Sequence, residues 1–247
     1  MILELDAGNS RIKWRLLDAS TTRITGEGAA PDPEALAIVL GELAPPRMVR
    51  MSSVRSEDVN IAIARFVEAR WQLPVHQARV QASCAGVRNQ YKDQGRLGVD
   101  RWLAMLAGFR RAQGACIVID SGTAMTIDCV AADGLHEGGY ITPGLRLMRD
   151  SLVNNTRIRL APDPGAPSLD LGHSTDAAVN NGTLALLLAL IDRVVAASRR
   201  DNPATAVFLS GGDAELLARL AAITDGEVVP SLVLDGLALA CPDPGGH

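Results

Sequence analysis

Two short stretches of this chain carry the same kind of text. Ile2 to Lys13 reads ILELDAGNSRIK, and Ile117 to Cys129 reads IVIDSGTAMTIDC. Each is a short apolar run, then Asp, a small residue, Gly, a hydroxyl or amide residue, and a second strand-like run. The anchor aspartates, Asp6 and Asp120, stand 114 positions apart. Glycine at Gly8 and Gly122 suits a tight turn between antiparallel strands and leaves space for a ligand beside the backbone. Amides in such a turn can cradle a phosphate, and the aspartate can face a cation that neutralises it. A single Asp-x-Gly hairpin would be an acidic turn and little more. Two copies, near the starts of two domain-sized halves, make internal duplication plausible.

A third glycine site, Gly211-Gly212-Asp213, falls between a predicted strand and a predicted helix. A glycine pair there lets a flat ligand approach the backbone, and the helix N-terminus favours negative charge. Two duplicated halves with facing turns would form a cleft. A cleft that binds a phosphate chain with a divalent ion suits ATP-dependent phosphoryl transfer. That chemistry needs a carboxylate to orient an acceptor hydroxyl. Asp100, at the end of the polar loop AGVRNQYKDQGRLGVDR, could accept the proton, and Arg101 beside it could bind an anionic substrate. The same Asp100 also reads as a helix N-cap, because Asp before Arg-Trp-Leu-Ala is good helix-start text. The pattern leaves both readings open.

The elements that must position these residues are α/β in both halves. In the first, the spacing predicts a helix from Pro33 to Leu43 with Asp32 as N-cap, and a strand from Met48 to Val54. A helix capped by Ser56 then runs through Arg70, followed by a strand from Val75 to Val80 and a helix over Trp102–Arg111. In the second half, a turn-rich stretch from Gly134 to GGYITPG precedes a Pro/Gly/Asp-rich loop over 160–172. Thr175 to Arg199 reads as a long amphipathic helix, Ala206 to Ser210 as a strand, and Ala214 to about Ala222 as a helix. Short elements then lead through Gly236 to a frayed CPDPGGH tail. The division is expected at 112/113, giving domains 1–112 and 113–247.

Other chemistries lack their signatures. There is no P-loop, no GxGxxG, no HExxH, no zinc spacing and no GxSxG. The histidines at 76, 136, 173 and 247 are too scattered for a metal site. Cys84, Cys116, Cys129 and Cys241 form no CxxC pair and read as thiols of a reducing compartment. With 24 Lys+Arg against 28 Asp+Glu and only 3% aromatic residues, no nucleic-acid partner is expected. The N-terminus lacks a basic leader, and the apolar run Leu184 to Ile191 is too short to span a bilayer before Asp192 and Arg193. A cytoplasmic protein with no membrane partner is expected.

Taken in order, LELDAGNSRIKWR, YKDQGRLGVDRW, VIDSGTAMTIDCV, GGYITPGLRLM, STDAAVNNG and FLSGGDAEL resemble the type III pantothenate kinases, of the actin/Hsp70/sugar-kinase fold superfamily. The resemblance covers nearly the whole chain. It implies duplicated ribonuclease-H-like, actin-like ATPase domains flanking a nucleotide cleft. It also implies phosphorylation of the 4'-hydroxyl of pantothenate, the first step toward coenzyme A. ATP, a divalent ion such as Mg2+ and a monovalent cation, K+ or NH4+, are the implied cofactors, and a homodimer is the implied assembly. By the same resemblance the turn Asp6, Ala7, Gly8, Asn9, Ser10, Arg11, Ile12 and Lys13 contacts ATP, with Asp6 near the divalent ion. Tyr91, Gly98, Val99, Asp100 and Arg101 contact pantothenate, and Asp100 is the proton acceptor. Asp120 ligates the monovalent cation, Thr123 meets the phosphates, and Gly211 and Gly212 lie near the adenosine. Thr175 contacts pantothenate across a dimer interface. The loop GRLGVDR departs from the Pro-Pro-containing approach of many members, but keeps Gly98, Asp100 and Arg101. The residues alone also allow a kinase or phosphatase of this fold acting on another small molecule, a ribonuclease-H-like nuclease, or a regulatory protein that inherited the fold.

Overall fold

Strand alternation organises the first sheet. Leu3, Leu5 and Ala7 of β1 (Ile2–Ala7) share one face, while Glu4 and Asp6 share the other. A computed structural model describes residues 1–162, 165, 168–221, 223 and 225–243. In it β1 pairs antiparallel with β2 (Ile12–Leu17), which pairs with β3 (Ile24–Ala30). After α1 (Pro33–Gly41), the strand β4 (Met48–Ser53) runs parallel to β1 on its other side. Then α2 (Glu57–Trp71) leads to β5 (Val75–Gln77), and the sheet order is β3-β2-β1-β4-β5. A short ribbon, β6 (Ser83–Cys84) with β7 (Val87–Arg88), takes up the start of the polar loop, which leads into α3 (Val99–Ala112). Asp32 caps α1 as its sequence implies, its carboxylate accepting from Ala35 N at 2.8 Å. The predicted cap Ser56 sits at the N-cap of α2 but makes no side-chain capping bond.

The second sheet repeats the first. It is built from β8 (Cys116–Ser121), β9 (Ala124–Val130) and β10 (His136–Pro143), then, after α4 (Leu145–Asn155) and α5 (Thr175–Asp201), β11 (Ala206–Ser210). After α6 (Ala214–Leu220) comes β12 (Glu227–Val228), and the order β10-β9-β8-β11-β12 has the same strand directions as the first sheet. Asp6 and Asp120 are each the fifth residue of their first strand, opposite Ser52 and Ser210 respectively. The duplication suggested by two hairpins therefore extends to whole sheets.

The chain forms two compact units, Met1–Arg111 with Ser231–His247, and Ala112–Pro230. This corrects the expected division in one respect. The last helix, α7 (Leu232–Ala240), belongs with the first sheet, packing on β1 and β4. Two contacts fix it there. Asp235 pairs with Arg15 at 2.6 Å, and Gly236 lies so close to the backbone of Leu103 that any Cβ would overlap its carbonyl oxygen. Beneath α7 runs a buried charged row in which Glu4 sits between Arg15 and Arg50, its direct cross-strand neighbours. Burial alone would lower the pKa of Arg15, but Glu4 and Asp235 outweigh it and hold the guanidinium above its ordinary value.

On the opposite face, Leu3, Leu5, Val49 and Met51 pack against Leu36 and Leu40 of α1 and Ile63 and Val67 of α2. In the second unit, Ile117, Ile119, Met125 and Ile127 pack against α5. That helix buries Leu184, Leu187, Leu188, Ile191, Val194 and Val195, the spacing of one helical stripe. By length and composition α5 could cross a membrane, but its buried stripe closes this core.

Among the described residues, β3, β10, α4 and α7, and the two-residue strands β6, β7 and β12, have no counterpart in the sequence reading. The predicted helix over Trp102–Arg111 starts earlier, at Val99. Residues 163, 164, 166 and 167 of the predicted loop, and 244–247 of the predicted tail, lie outside the described residues. All four cysteines are free. Burial pushes Cys116 up to about 12 and Cys129 up to about 11, which keeps both as inert thiols.

Candidate active site

In the first unit, the β1–β2 turn is held from beneath by the segment that leaves β4. Val54 N donates to Ala7 O at 3.1 Å. Asp6 is buried at the strand end, Asn9, Ser10 and Arg11 are exposed on the turn, and Lys13 faces Asp6 across the ladder. This is the segment expected to contact ATP, and it stands as one continuous hairpin.

The polar loop brings together the residues expected at pantothenate. Arg101 is buried, its Nη1 donates to the Tyr91 hydroxyl at 2.9 Å, and its guanidinium lies 5.8 Å from that ring's centroid. Asp93 caps the short 3-10 turn Gln94–Arg96 that carries the chain toward Gly98. Asp100 is not an N-cap: the helix begins at Val99, and Asp100 lies in its first turn, where the dipole favours a carboxylate. Its Oδ1 accepts from Arg101 N at 2.8 Å. A Cβ at position 98 would come within 2.5 Å of that same oxygen, so glycine leaves the room the carboxylate occupies.

In the second unit, Gly211 (φ +91) packs so tightly on the β8–β9 turn that a side chain would strike Ser121 O and Asp120 Oδ1. Ser121 Oγ donates to Asp213 Oδ2 at 3.2 Å, and Asp213 N returns a bond to Ser121 O at 3.1 Å. Burial raises the Asp213 carboxyl above its ordinary value, and the Ser121 bond opposes that. Thr123 is exposed at the turn, where Gly144 N donates to Thr123 O at 3.0 Å. The geometry thus gathers Asp120, Thr123, Gly211 and Gly212 at one end of the second sheet. Beside them a cavity of about 460 Å³ is lined by Leu145, Arg149, Asn180, Leu184, Asp213 and Leu216. Its mostly apolar wall with a few polar groups suits a nucleoside. Thr175 is exposed at the first turn of α5, away from that turn in sequence and on a different element.

Two further residues stand out in the structure. Asp128, on β9, is buried against His136, with Nε2 and Oδ1 2.9 Å apart. Arg55 reaches the Gly8 carbonyl. Only the parallel pairing of β4 with β1 puts it there, and no motif in SVRSED announces it.

The type III pantothenate kinase family model matches residues 2–197. A type III pantothenate kinase from Pseudomonas putida (strain W619) is 43% identical, with 98% of this chain and 99% of the relative covered. One from Pseudomonas aeruginosa (strain LESB58) is 42% identical over the same shares. Among solved structures, a Baf family transcriptional activator from Campylobacter jejuni superposes with a TM-score of 0.59 at 18% identity, covering 95% of this chain and 94% of that one. A 2-dehydro-3-deoxygalactonokinase from Sinorhizobium meliloti superposes with a TM-score of 0.54 at 13% identity, covering 96% and 97%. At such identities the superpositions speak to the fold alone: a two-domain α/β architecture of the actin/Hsp70 and sugar-kinase type. The full-length likeness to the curated relatives goes further, and by it the chain belongs to the type III pantothenate kinase family.

Proposed function

We propose that this chain transfers the γ-phosphoryl group of ATP to the 4'-hydroxyl of pantothenate, giving 4'-phosphopantothenate and ADP. The observation that carries the reading is the packed trio of Tyr91, Arg101 and Asp100, set by Gly98 at the start of α3. Arg101 pairs with the pantothenate carboxylate. Asp100 orients the primary hydroxyl and takes its proton as the new O–P bond forms and the bond to ADP breaks. In the first unit the turn from Asp6 to Lys13 is the candidate phosphate contact; in the second, Thr123 is one, and the cavity beside Asp213 suits an adenosine.

Among the described residues no group of three or more His, Cys, Asp or Glu forms a metal cage. A divalent ion would be held here by a single protein carboxylate. Asp6 is the carboxylate for it. When bound, the ion offsets charge on the phosphate oxygens. Asp120, whose Oδ1 lies against the bare Cα of Gly211, holds K+ or NH4+. Asp120→Ala is expected to flatten the potassium titration of turnover. A titration matching wild type would remove Asp120 from that role.

A homodimer goes with this reading. Tyr140, Ile141, Leu147 and Leu186 are exposed on β10, α4 and α5, and α4 packs against both of the others. Thr175 then serves the partner's substrate. The reading places the enzyme in the cytoplasm, with ATP and pantothenate as its partners rather than nucleic acid or membrane. Its test is ADP release with Mg·ATP in the presence and absence of pantothenate. Release that rises only with pantothenate supports it, and release indifferent to pantothenate counts against it.

A further inference from the structure

The two units place opposite charges at one topological position. Ser52 lies across from Asp6 as Ser210 lies across from Asp120. Counting three residues on from each serine gives Arg55 in the first unit and Asp213 in the second. Both chain segments fold back on the neighbouring hairpin turn. Asp213 bonds Ser121, while Arg55 donates Nε to Gly8 O at 2.5 Å and Nη2 to Pro31 O at 3.4 Å. Arg55 N is itself fixed by Ser53 Oγ at 3.1 Å. Arg55 is half-buried, and among the described residues it meets no carboxylate. This contrasts with Arg15 and Arg50, both paired with Glu4. Its Nη1 makes no hydrogen bond among the described residues. A guanidinium costs free energy to hold half out of water, and a carboxylate is its usual partner.

We propose that Arg55 is a positioning residue for phosphoryl transfer, acting through Gly8. This rests on the reading that the Asp6–Lys13 turn holds ATP phosphates. A peptide unit has two faces to offer a phosphate. Turned one way, the amides of the turn point at the anion; turned the other, a carbonyl does and repels it. By binding the Gly8 carbonyl, Arg55 keeps that oxygen directed into the protein. Its positive charge, which meets no carboxylate among the described residues, also favours a phosphate chain nearby. In the second unit the equivalent place carries Asp213, which borders the cavity assigned to the nucleoside. The equivalent place thus carries a cation in the unit assigned phosphate by its turn and an anion in the unit whose cavity suits a nucleoside.

The test compares Arg55→Ala and Arg55→Lys with wild type in steady-state turnover, with melting temperature and Mg·AMPPNP affinity measured alongside. Arg55→Ala is expected to lose about 10²-fold in kcat/KM for ATP, the scale of a small misplacement of the groups that position the reacting phosphate. The KM for pantothenate at saturating ATP should stay within about twofold, since uniform acceptor binding is untouched. Free guanidinium at millimolar concentration should restore part of the alanine variant's activity and leave wild type unchanged. Arg55→Lys should recover only part, because an ammonium lacks the fork that grips a carbonyl and still presents a second edge. Arg55→Ala within about threefold of wild type in kcat/KM for ATP would overturn the proposal. So would a loss that guanidinium does not relieve. Should the alanine variant melt well below wild type, the lysine variant decides: full activity there overturns the proposal. A wild-type protein silent with pantothenate would instead sink the acceptor assignment. The AMPPNP affinities would still judge Arg55, with an unweakened alanine variant overturning it.

Discussion

Asp100→Asn is expected to cut turnover by about 10²-fold or more, the usual scale for a general acid–base group, while nucleotide affinity stays near wild type. The amide keeps the size of the carboxylate and can still accept from Arg101 N, the 2.8 Å bond that fixes its rotamer. What it loses is the ability to take the hydroxyl proton. Helix α3 should be unaffected, because Asp100 is inside the first turn and does not cap it. Turnover and AMPPNP binding measured on the same preparation check this. Equal turnover in the two proteins would remove Asp100 as the base. Joint loss of turnover and nucleotide binding would point to a positional role.

Glu4→Ala should be the most damaging change to the fold. Glu4 is fully buried between Arg15 and Arg50, which are 5% and 3% exposed. Removing it takes from two buried guanidinium groups the carboxylate they share, leaving Arg50, among the described residues, only the Cys241 carbonyl, and breaking a buried pair from one side costs about 3–5 kcal/mol. For a chain of this size, each kcal/mol shifts Tm by roughly 2–4 °C, so a fall on the order of 10 °C is expected in a thermal melt. Asp235 still meets Arg15, which puts the effect toward the lower end. A melt within about 2 °C of wild type would show that the row is dispensable. The row also matters to the site, because Glu4 and Asp6 share a face of β1 two residues apart.

Much of this was legible in the sequence because the informative residues act locally. Asp32 caps α1 with its own carboxylate and Pro33 presets its first turn, and the unbroken apolar run of β11 reads as a strand buried on both faces. The missed elements depend on partners far along the chain. In β3, Gly28 replaces a strand-forming residue because the Trp14 ring lies where a Cβ would be. Gly138 interrupts β10 at φ +119, where the pairing with β9 shifts register. In α4, Leu145, Met148 and Leu152 do follow helical spacing, and Leu145 and Met148 pack on the second core, but no residue is fully buried and the stripe is short. Gly236 breaks the helical text of α7, and the reason, the approach to Leu103, appears only once the chain has folded back.

The site divides in the same way. The Asp-x-Gly hairpins are visible as text because turn chemistry is local. The resemblance assigns Tyr91 and Arg101 each to pantothenate, but their contact with one another, across one loop, appears only in the structure. Arg55 reaches Gly8 across 47 residues through the pairing of β4 with β1, and single-sequence spacing carries no trace of that.

The most direct measurement is the identity of the phosphorylated product. Purified protein would be incubated with Mg·ATP and potassium, and with an equimolar mixture of pantothenate and several hexoses, since kinases of this fold also act on sugars. Mass spectrometry would then read every acceptor. The account predicts one added phosphoryl group on pantothenate, at its primary 4'-hydroxyl, with the sugars untouched. Phosphate on a sugar, or on no acceptor while ATP is consumed, would contradict it.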